Sequence, residues 1–167
     1  MNSRAVLSTE AVPLRILMIS DVYFPRVNGV STSIQTFRRE LHALGHEVTL
    51  IVPDYGVDHS DDDGIIRIPS RQVLLDPEDR LMRCRAILDL LPRLKRERYD
   101  VVHIQTPFVA HYLGLRLAQE LGAPVMESYH TFFEEYLFHY IPFLSRAWLR
   151  AVARRFSRAQ CNSVDSV

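Results

Sequence analysis

Residues 14–45 read LRILMISDVYFPRVNGVSTSIQTFRRELHALG, and this stretch decides the fold. Its first seven residues form a nearly continuous apolar run that stops at Asp21, which is typical of a buried strand. Asn28 and Gly29 then mark a turn. After the turn, apolar residues recur at intervals of three and four, as on one face of a helix: Val30, Ile34, Phe37, Leu41 and Leu44.

Gly45 suits the left-handed cap that ends many helices, and a second apolar strand, residues 46–52, follows at once. Strand, helix and strand within about forty residues predict a βαβ unit with parallel strands. The alternation continues downstream. Further strands are predicted at residues 65–68, 99–104 and 124–129, helices at 78–97 (broken or restarted at Pro92), 107–121 and 132–159, and the start of one more strand at 163–167.

This pattern predicts an α/β fold in which a Rossmann-like parallel sheet carries helices on both faces. The domain is expected to cover residues 14–167, after a loose leader at residues 1–13. No internal repeat or low-complexity segment interrupts it.

Composition narrows the function classes. The 167 residues suffice for one domain with a core, and 20 basic residues balance 20 acidic ones, so nothing indicates a nucleic-acid partner. The two cysteines, Cys84 and Cys161, belong to no CxxC pair, which disfavours a zinc module or a disulfide framework and fits the cytoplasm. Because no apolar stretch is long enough to cross a bilayer, contact with the inner face of the cell membrane would be peripheral.

Unusual residues follow the predicted strands. They lie in four loops, at residues 22–29, 53–55, 105–107 and 130–131. In an open parallel sheet, ligands bind beyond the carboxyl ends of the strands, where helix N-termini offer free N–H groups. The four loops are therefore expected to converge on one crevice.

Gly29 offers the clearest chemistry in these loops. Without a Cβ atom, its backbone allows a ligand to approach closely where the helix begins, and the positive end of that helix suits a diphosphate. A plain strand-to-helix turn is the alternative. The motifs GxGxxG and GxxxxGK[ST] are absent, which disfavours NAD-dependent oxidoreductases and P-loop nucleotidases.

His130 follows a predicted strand, where a histidine could donate a hydrogen bond to a sugar hydroxyl or to developing phosphate charge. A structural histidine is one alternative. A metal site is another, formed with Glu127, Glu134, Glu135 and His139. No metal is expected, because the two pairs with helical i,i+4 spacing point in different directions. His103, inside an apolar strand, is interpreted as a buried, hydrogen-bonded histidine.

Three segments, residues 20–31, 99–107 and 128–136, together resemble the group 1 glycosyltransferases, the retaining family 4 with the GT-B fold. The resemblance covers residues 14–167. It implies a nucleotide-diphosphate sugar as donor, a hydroxyl acceptor, retention of the anomeric configuration, and neither a metal nor another cofactor. It also implies that a C-terminal donor domain is missing, so that the fragment alone is expected to be inactive.

The resemblance also assigns residues to roles. It implies that His130 is catalytic, that Asn28, Gly29 and Val30 bind the donor, and that Tyr23, Pro25, Gln105, Thr106, Thr131 and Glu134 bind the acceptor. Many relatives have a glycine in place of Asn28 and a histidine in place of Gln105. Gln105 and residues 130–136 resemble the branch that glycosylates lipids such as diacylglycerol. A soluble saccharide or metabolite acceptor, a stand-alone sugar- or nucleotide-binding module, and a subunit of a split enzyme remain alternatives.

A basic helix is predicted near the end of the chain. No acidic residue occurs between Tyr136 and Val164. Arginines, among them Arg146, Arg150 and Arg154, spread over one half of this helix, whereas Trp148 lies on the other half. Such a helix could lie on an anionic membrane surface. Alternatively, it could cover the sheet with its arginines facing water.

Overall fold

The computed structural model describes residues 12–58, 61–73, 76–129 and 146–167. The strands are β1 (Arg15–Ile19), β2 (Glu47–Pro53), β3 (Ile65–Ile68), β4 (Ser70–Val73), β5 (Asp76–Met82), β6 (Val101–Ile104) and β7 (Val125–Glu127). The helices are α1 (Gly29–Ala43), α2 (Cys84–Leu88), α3 (Leu91–Glu97), α4 (Val109–Leu121) and α5 (Arg146–Cys161).

Five strands form one parallel sheet in the order β3-β2-β1-β6-β7, which confirms the predicted α/β fold. The register places Met18 of β1 between Leu50 of β2 and His103 of β6. At the outer side of β7, Ser166 forms an isolated parallel bridge with Met126. The segment predicted to begin one more strand therefore does pair with the sheet.

Side chains of β1 alternate between two apolar clusters. Ile16 and Met18 belong to the cluster that includes Ile34 of α1. Leu17 and Ile19 belong to the cluster on the other face, which includes side chains of α2, α3 and α4. Since both faces of a central parallel strand are covered, its sequence is a continuous apolar run and does not alternate.

The prediction of a helix over residues 78–97 is wrong in its first part. Residues 76–82 form β5, which pairs antiparallel with β4, and helix begins only at Cys84. The hairpin is held by its pairing and by Met82, which is buried in the core beside α2 and α3. These tertiary contacts outweigh the weak helical preference of the local sequence. The expected restart at Pro92 is confirmed, because this proline lies in the first turn of α3.

Gly114 lets α4 approach the sheet closely. A Cβ atom at this position would lie 2.6 Å from Cγ1 of Ile104 and 3.2 Å from Cγ2 of Ile19. These atoms belong to core side chains of β6 and β1, so they have little room to move. The absence of a side chain at residue 114 therefore sets the distance between α4 and the strands that it covers.

We predict that Gly114→Ala lowers the free energy of unfolding by about 1–3 kcal/mol, because the added methyl group overpacks the core. This loss should exceed the gain of up to about 1 kcal/mol in helix propensity. Urea unfolding followed by circular dichroism measures it. Gly29→Ala is the matched control, since a Cβ atom there meets no protein atom within 4 Å. Equal or higher stability of Gly114→Ala would show that α4 does not need this close approach.

Candidate functional site

The loops after β1, β6 and β7 begin side by side at the carboxyl edge of the sheet. Backbone hydrogen bonds continue the ladder one residue beyond the strands: Gln105 N–H donates to Ile19 O at 3.0 Å, and Ser128 N–H to Ile104 O at 2.9 Å. On the other side, Ser20 N–H donates to Ile51 O at 3.0 Å. The loops that carry the predicted site residues therefore begin at the same edge of the sheet.

Asn28 and Gly29 form the N-terminus of α1. Asn28 is the N-cap, and its side-chain oxygen accepts a hydrogen bond from Ser31 N–H at 2.8 Å. Gly29 is the exposed first residue of the helix, and no protein atom lies within 4 Å of the position that a Cβ would take. Val30, the third predicted donor residue, is half-buried against the core beneath α1. The end of α1 is thus open to a ligand at Gly29.

Tyr23 and Pro25 line a cleft of about 640 Å³ between α1 and the acidic loop before β3. The Tyr23 ring is buried, and the Arg67 guanidinium lies 5.5 Å from its centre. Arg67 also donates to Phe24 O at 2.7 Å and forms an ion pair with Asp61 at 2.7 Å. The arginine therefore ties the β1–α1 loop to the acidic loop across one end of the cleft.

Gln105 and Thr106, also predicted to bind the acceptor, lie outside the lining of that cleft. They are 1% and 4% exposed at the end of β6. The Thr106 hydroxyl donates to Asp21 Oδ2 at 2.8 Å and accepts from Asp21 N–H at 2.7 Å. The structure therefore brings Tyr23 and Pro25 to one cleft, whereas Gln105 and Thr106 form a buried part of the same edge.

Asp21 is the site residue that the sequence did not reveal. Each of its carboxylate oxygens lies 3.1 Å from Ala110 N, which donates from the first turn of α4. Phe108, the N-cap of α4, offers no side-chain cap, so Asp21 caps this helix from another strand. Burial raises the pKa of Asp21 to about 6, although the hydrogen bonds from Thr106 and Ala110 act in the opposite direction. The only sequence signal was a carboxylate placed directly after an apolar strand.

Two buried histidines bind partners inside the domain. His103 Nε2 lies 2.8 Å from Ser128 Oγ, which confirms the buried, hydrogen-bonded strand histidine. His111 Nδ1 lies 3.1 Å from Glu127 Oε2, and this pair joins α4 to β7. Glu127, one residue of the alternative metal site, is therefore bound to a histidine of α4. Within the described part of the chain, no group of three or more histidine, cysteine or acidic residues is arranged to hold a metal ion.

His130, Thr131 and Glu134 lie outside the described residues, as do Glu135 and His139 of the alternative metal site.

Helix α5 packs on the domain through its second half. Ala153 and Gln160 are buried, and Gln160 Nε2 donates to Pro107 O at 2.7 Å. Arg154, Arg155 and Arg158 are exposed. The side chains of Arg146, Trp148 and Arg150 lie outside the described part of the helix. The helix thus covers the domain, as one of the two interpretations expected, with basic side chains facing outward. No described helix is both long and apolar enough to cross a membrane.

We predict that Asp21→Asn changes the dependence of stability on pH. The pKa of Asp21 rises from 3.8 to about 6 on folding, so its contribution is fully present below pH 4 and is lost as the pH rises through 6. A rise of this size in the pKa corresponds to roughly 3 kcal/mol. Between pH 4 and pH 8, the wild type should lose about this much free energy of unfolding relative to Asp21→Asn. Urea titrations across that range measure the difference, and parallel curves would contradict it.

Comparison with known proteins identifies relatives. A family model described as Glycosyltransferase Family 4 matches residues 27–167. The chain is 40% identical over 129 residues to an alpha-monoglucosyldiacylglycerol synthase of Streptococcus pneumoniae, covering 77% of the chain and 29% of the relative. It is 34% identical over 132 residues to the protein of that name from Acholeplasma laidlawii, covering 77% of the chain and 32% of the relative.

A third relative is named for another activity. The chain is 32% identical over 171 aligned residues to a GDP-mannose-dependent alpha-mannosyltransferase of Mycobacterium tuberculosis, covering 92% of the chain and 43% of that protein. The chain therefore spans less than half the length of each of these curated relatives. The family model covers most of the chain, and the fold is the parallel α/β sheet that the resemblance implies. The chain belongs to Glycosyltransferase Family 4.

Proposed function

We propose that this chain is the acceptor-side half of a retaining glycosyltransferase, which moves a sugar from a nucleotide-diphosphate sugar to a hydroxyl group. The observation that carries the proposal is the open N-terminus of α1 at Gly29, in a chain that belongs to a glycosyltransferase family. A second domain outside this chain would bind the rest of the donor. The transfer would need no metal, so chelators should leave it unaffected.

The two helices that begin at this edge differ in how their N-termini are satisfied. At α4, the Asp21 carboxylate already accepts the Ala110 N–H, which places a negative charge at that terminus. At α1, the cap is the neutral side chain of Asn28, and Gly29 is exposed. A diphosphate is attracted by the positive end of a helix and repelled by a carboxylate. This contrast supports α1 as the end that faces the donor.

We propose a lipid acceptor, bound by Tyr23, Pro25, Gln105, Thr106, Thr131 and Glu134. Two relatives with 40% and 34% identity are named for synthesis of a glucosyldiacylglycerol, which supports a diacylglycerol-like acceptor. The mannosyltransferase relative leaves a different acceptor as the alternative. Activity can be measured in a fusion enzyme, defined here as residues 1–167 joined to the remaining length of the pneumococcal relative.

We predict that Gly29→Ala impairs use of the donor without affecting folding. The added methyl group meets no protein atom, but it occupies the space through which the diphosphate would approach. Displacing the donor by about 1 Å could cost roughly 10–100-fold in kcat/KM. Initial rates of the fusion enzyme with UDP-glucose or GDP-mannose, together with thermal unfolding, measure both effects. Unchanged donor kinetics would contradict the proposed donor site and leave a plain strand-to-helix turn.

The role proposed for His130 rests on the resemblance and on its position after β7. If it donates a hydrogen bond to charge that develops in the transition state, His130→Ala should lower kcat by about 10²–10³-fold with little change in melting temperature. His46→Ala is the control, because His46 lies just before β2 at the opposite edge of the sheet, where its Nδ1 accepts the Leu14 N–H at 3.1 Å. Full activity of a folded His130→Ala fusion enzyme would reduce this histidine to a structural residue.

We also propose that α5 holds the domain on anionic membranes, near a lipid acceptor. Arg154, Arg155 and Arg158 are exposed on its described half, and Arg146, Arg150 and Trp148 belong to the same helix. Each basic residue near an anionic surface contributes about 1 kcal/mol, and salt screens this attraction. The helix packs on the domain through Ala153 and Gln160, and Arg155 and Arg158 stay exposed.

We predict that the chain co-sediments with vesicles that contain phosphatidylglycerol, but not with pure phosphatidylcholine vesicles, and that high salt releases it. Replacing Arg154, Arg155 and Arg158 by serine should abolish most of this binding. A variant in which Arg83, Arg85 and Arg96 are replaced by serine removes the same charge from exposed positions elsewhere and should still bind. Equal loss in both variants would show a general charge effect and would favour a soluble acceptor.

A further inference from the structure

Asp21 and Thr106 form a closed pair of hydrogen bonds between the ends of β1 and β6. The Asp21 N–H donates to Thr106 Oγ1 at 2.7 Å, and the same hydroxyl donates to Asp21 Oδ2 at 2.8 Å. Both residues are buried. The pair therefore fixes the start of the β6–α4 loop, which carries Gln105 and Thr106, against the end of the central strand.

The Asp21 carboxylate both caps α4 and binds Thr106. It takes backbone hydrogen bonds from Phe108, Val109 and Ala110 and accepts the Thr106 hydroxyl. No charged side chain within the described ranges is among the hydrogen-bond partners of Asp21. Its charge is buried at a net cost, which is why burial raises its pKa to about 6. Costly buried charges next to candidate ligand-binding residues are typical of functional sites.

The hydrogen bonds that Thr106 already makes leave its hydroxyl one further hydrogen-bonding position, which a ligand could occupy. A hydroxyl group has one proton to donate and two lone pairs that accept. The ionised Asp21 takes the proton, and the Asp21 N–H takes one lone pair. Only the second lone pair remains, so Thr106 could receive a hydrogen bond from a ligand but could not donate one.

We infer that Asp21 is a positioning residue, which orients the Thr106 hydroxyl so that it accepts a hydrogen bond from the reacting hydroxyl of the acceptor. The inference rests on the proposed role of Thr106 in acceptor binding. It defines what this part of the edge recognises: a group that donates a hydrogen bond, such as an alcohol.

Asp21→Asn separates this role from a structural one. The single amide oxygen can still accept the Ala110 N–H, so part of the α4 cap remains. The amide N–H₂ then faces Thr106 and donates to it, which reverses the hydrogen bond and releases the threonine proton. The variant should fold. Its Thr106 hydroxyl, however, should then act as a hydrogen-bond donor facing the acceptor hydroxyl, which is also a donor.

The first readout uses the chain itself and needs no ligand. At pH 7.5 Asp21 is ionised, and NMR of the wild type should show a slowly exchanging Thr106 hydroxyl proton close to the Asp21 side chain. In Asp21→Asn this proton should exchange much faster, while the Ala110 amide stays protected. An identical hydroxyl signal in both proteins, or none in the wild type, would overturn the inference.

The second readout uses the fusion enzyme with 1,2-dioleoylglycerol in mixed micelles. Asp21→Asn should raise the acceptor KM roughly 3- to 10-fold, the value of about one hydrogen bond, with a smaller change in kcat. Asp100→Asn is the matched control, because Asp100 accepts the Arg15 N–H at 2.7 Å at the opposite edge of the sheet. An unchanged KM for Asp21→Asn would overturn the inference. An inactive wild-type fusion would count against the proposed function, and the NMR result would still decide the role of Asp21.

Discussion

Burial of β1 on both faces is the constraint on which the rest of the domain depends. The strand lies at the centre of the sheet, with β2 on one side and β6 on the other. The chain leaves it through α1, which covers one face, and α4 covers the other face. The end of β1 is therefore the point where the order of the strands reverses, and open α/β sheets bind ligands at that point.

The two helices that begin near this point, α1 and α4, differ in the charge at their N-termini. The N-terminus of α4 is capped by a carboxylate of the protein, that of Asp21, which also binds Thr106. The N-terminus of α1 has a neutral cap, Asn28, followed by the exposed Gly29. The N-terminus of α4 thus carries a negative charge from the protein, whereas the N-terminus of α1 carries none from its cap. In the proposed enzyme, the first organises the acceptor side and the second faces the donor.

Local sequence patterns predicted most of the fold but little of the candidate site. The apolar run before Asp21 and the helical spacing after Gly29 predicted β1 and α1, because both follow from side chains that must reach a core. The hairpin of β4 and β5 was missed because its pairing depends on contacts with the core and not on local preference. The Asp21–Thr106 pair joins residues 85 positions apart, and no pattern within one segment can reveal it.

In the proposed enzyme, the open N-terminus of α1, and not that of α4, binds the phosphates of the donor. The most direct measurement is an NMR titration of the ¹⁵N-labelled chain with inorganic pyrophosphate, followed by UDP-glucose and GDP-mannose. We expect saturable shifts of the Gly29, Val30 and Ser31 amides, with those of Val109 and Ala110 unchanged. Shifts confined to the start of α4, or no shift at the start of α1, would contradict it.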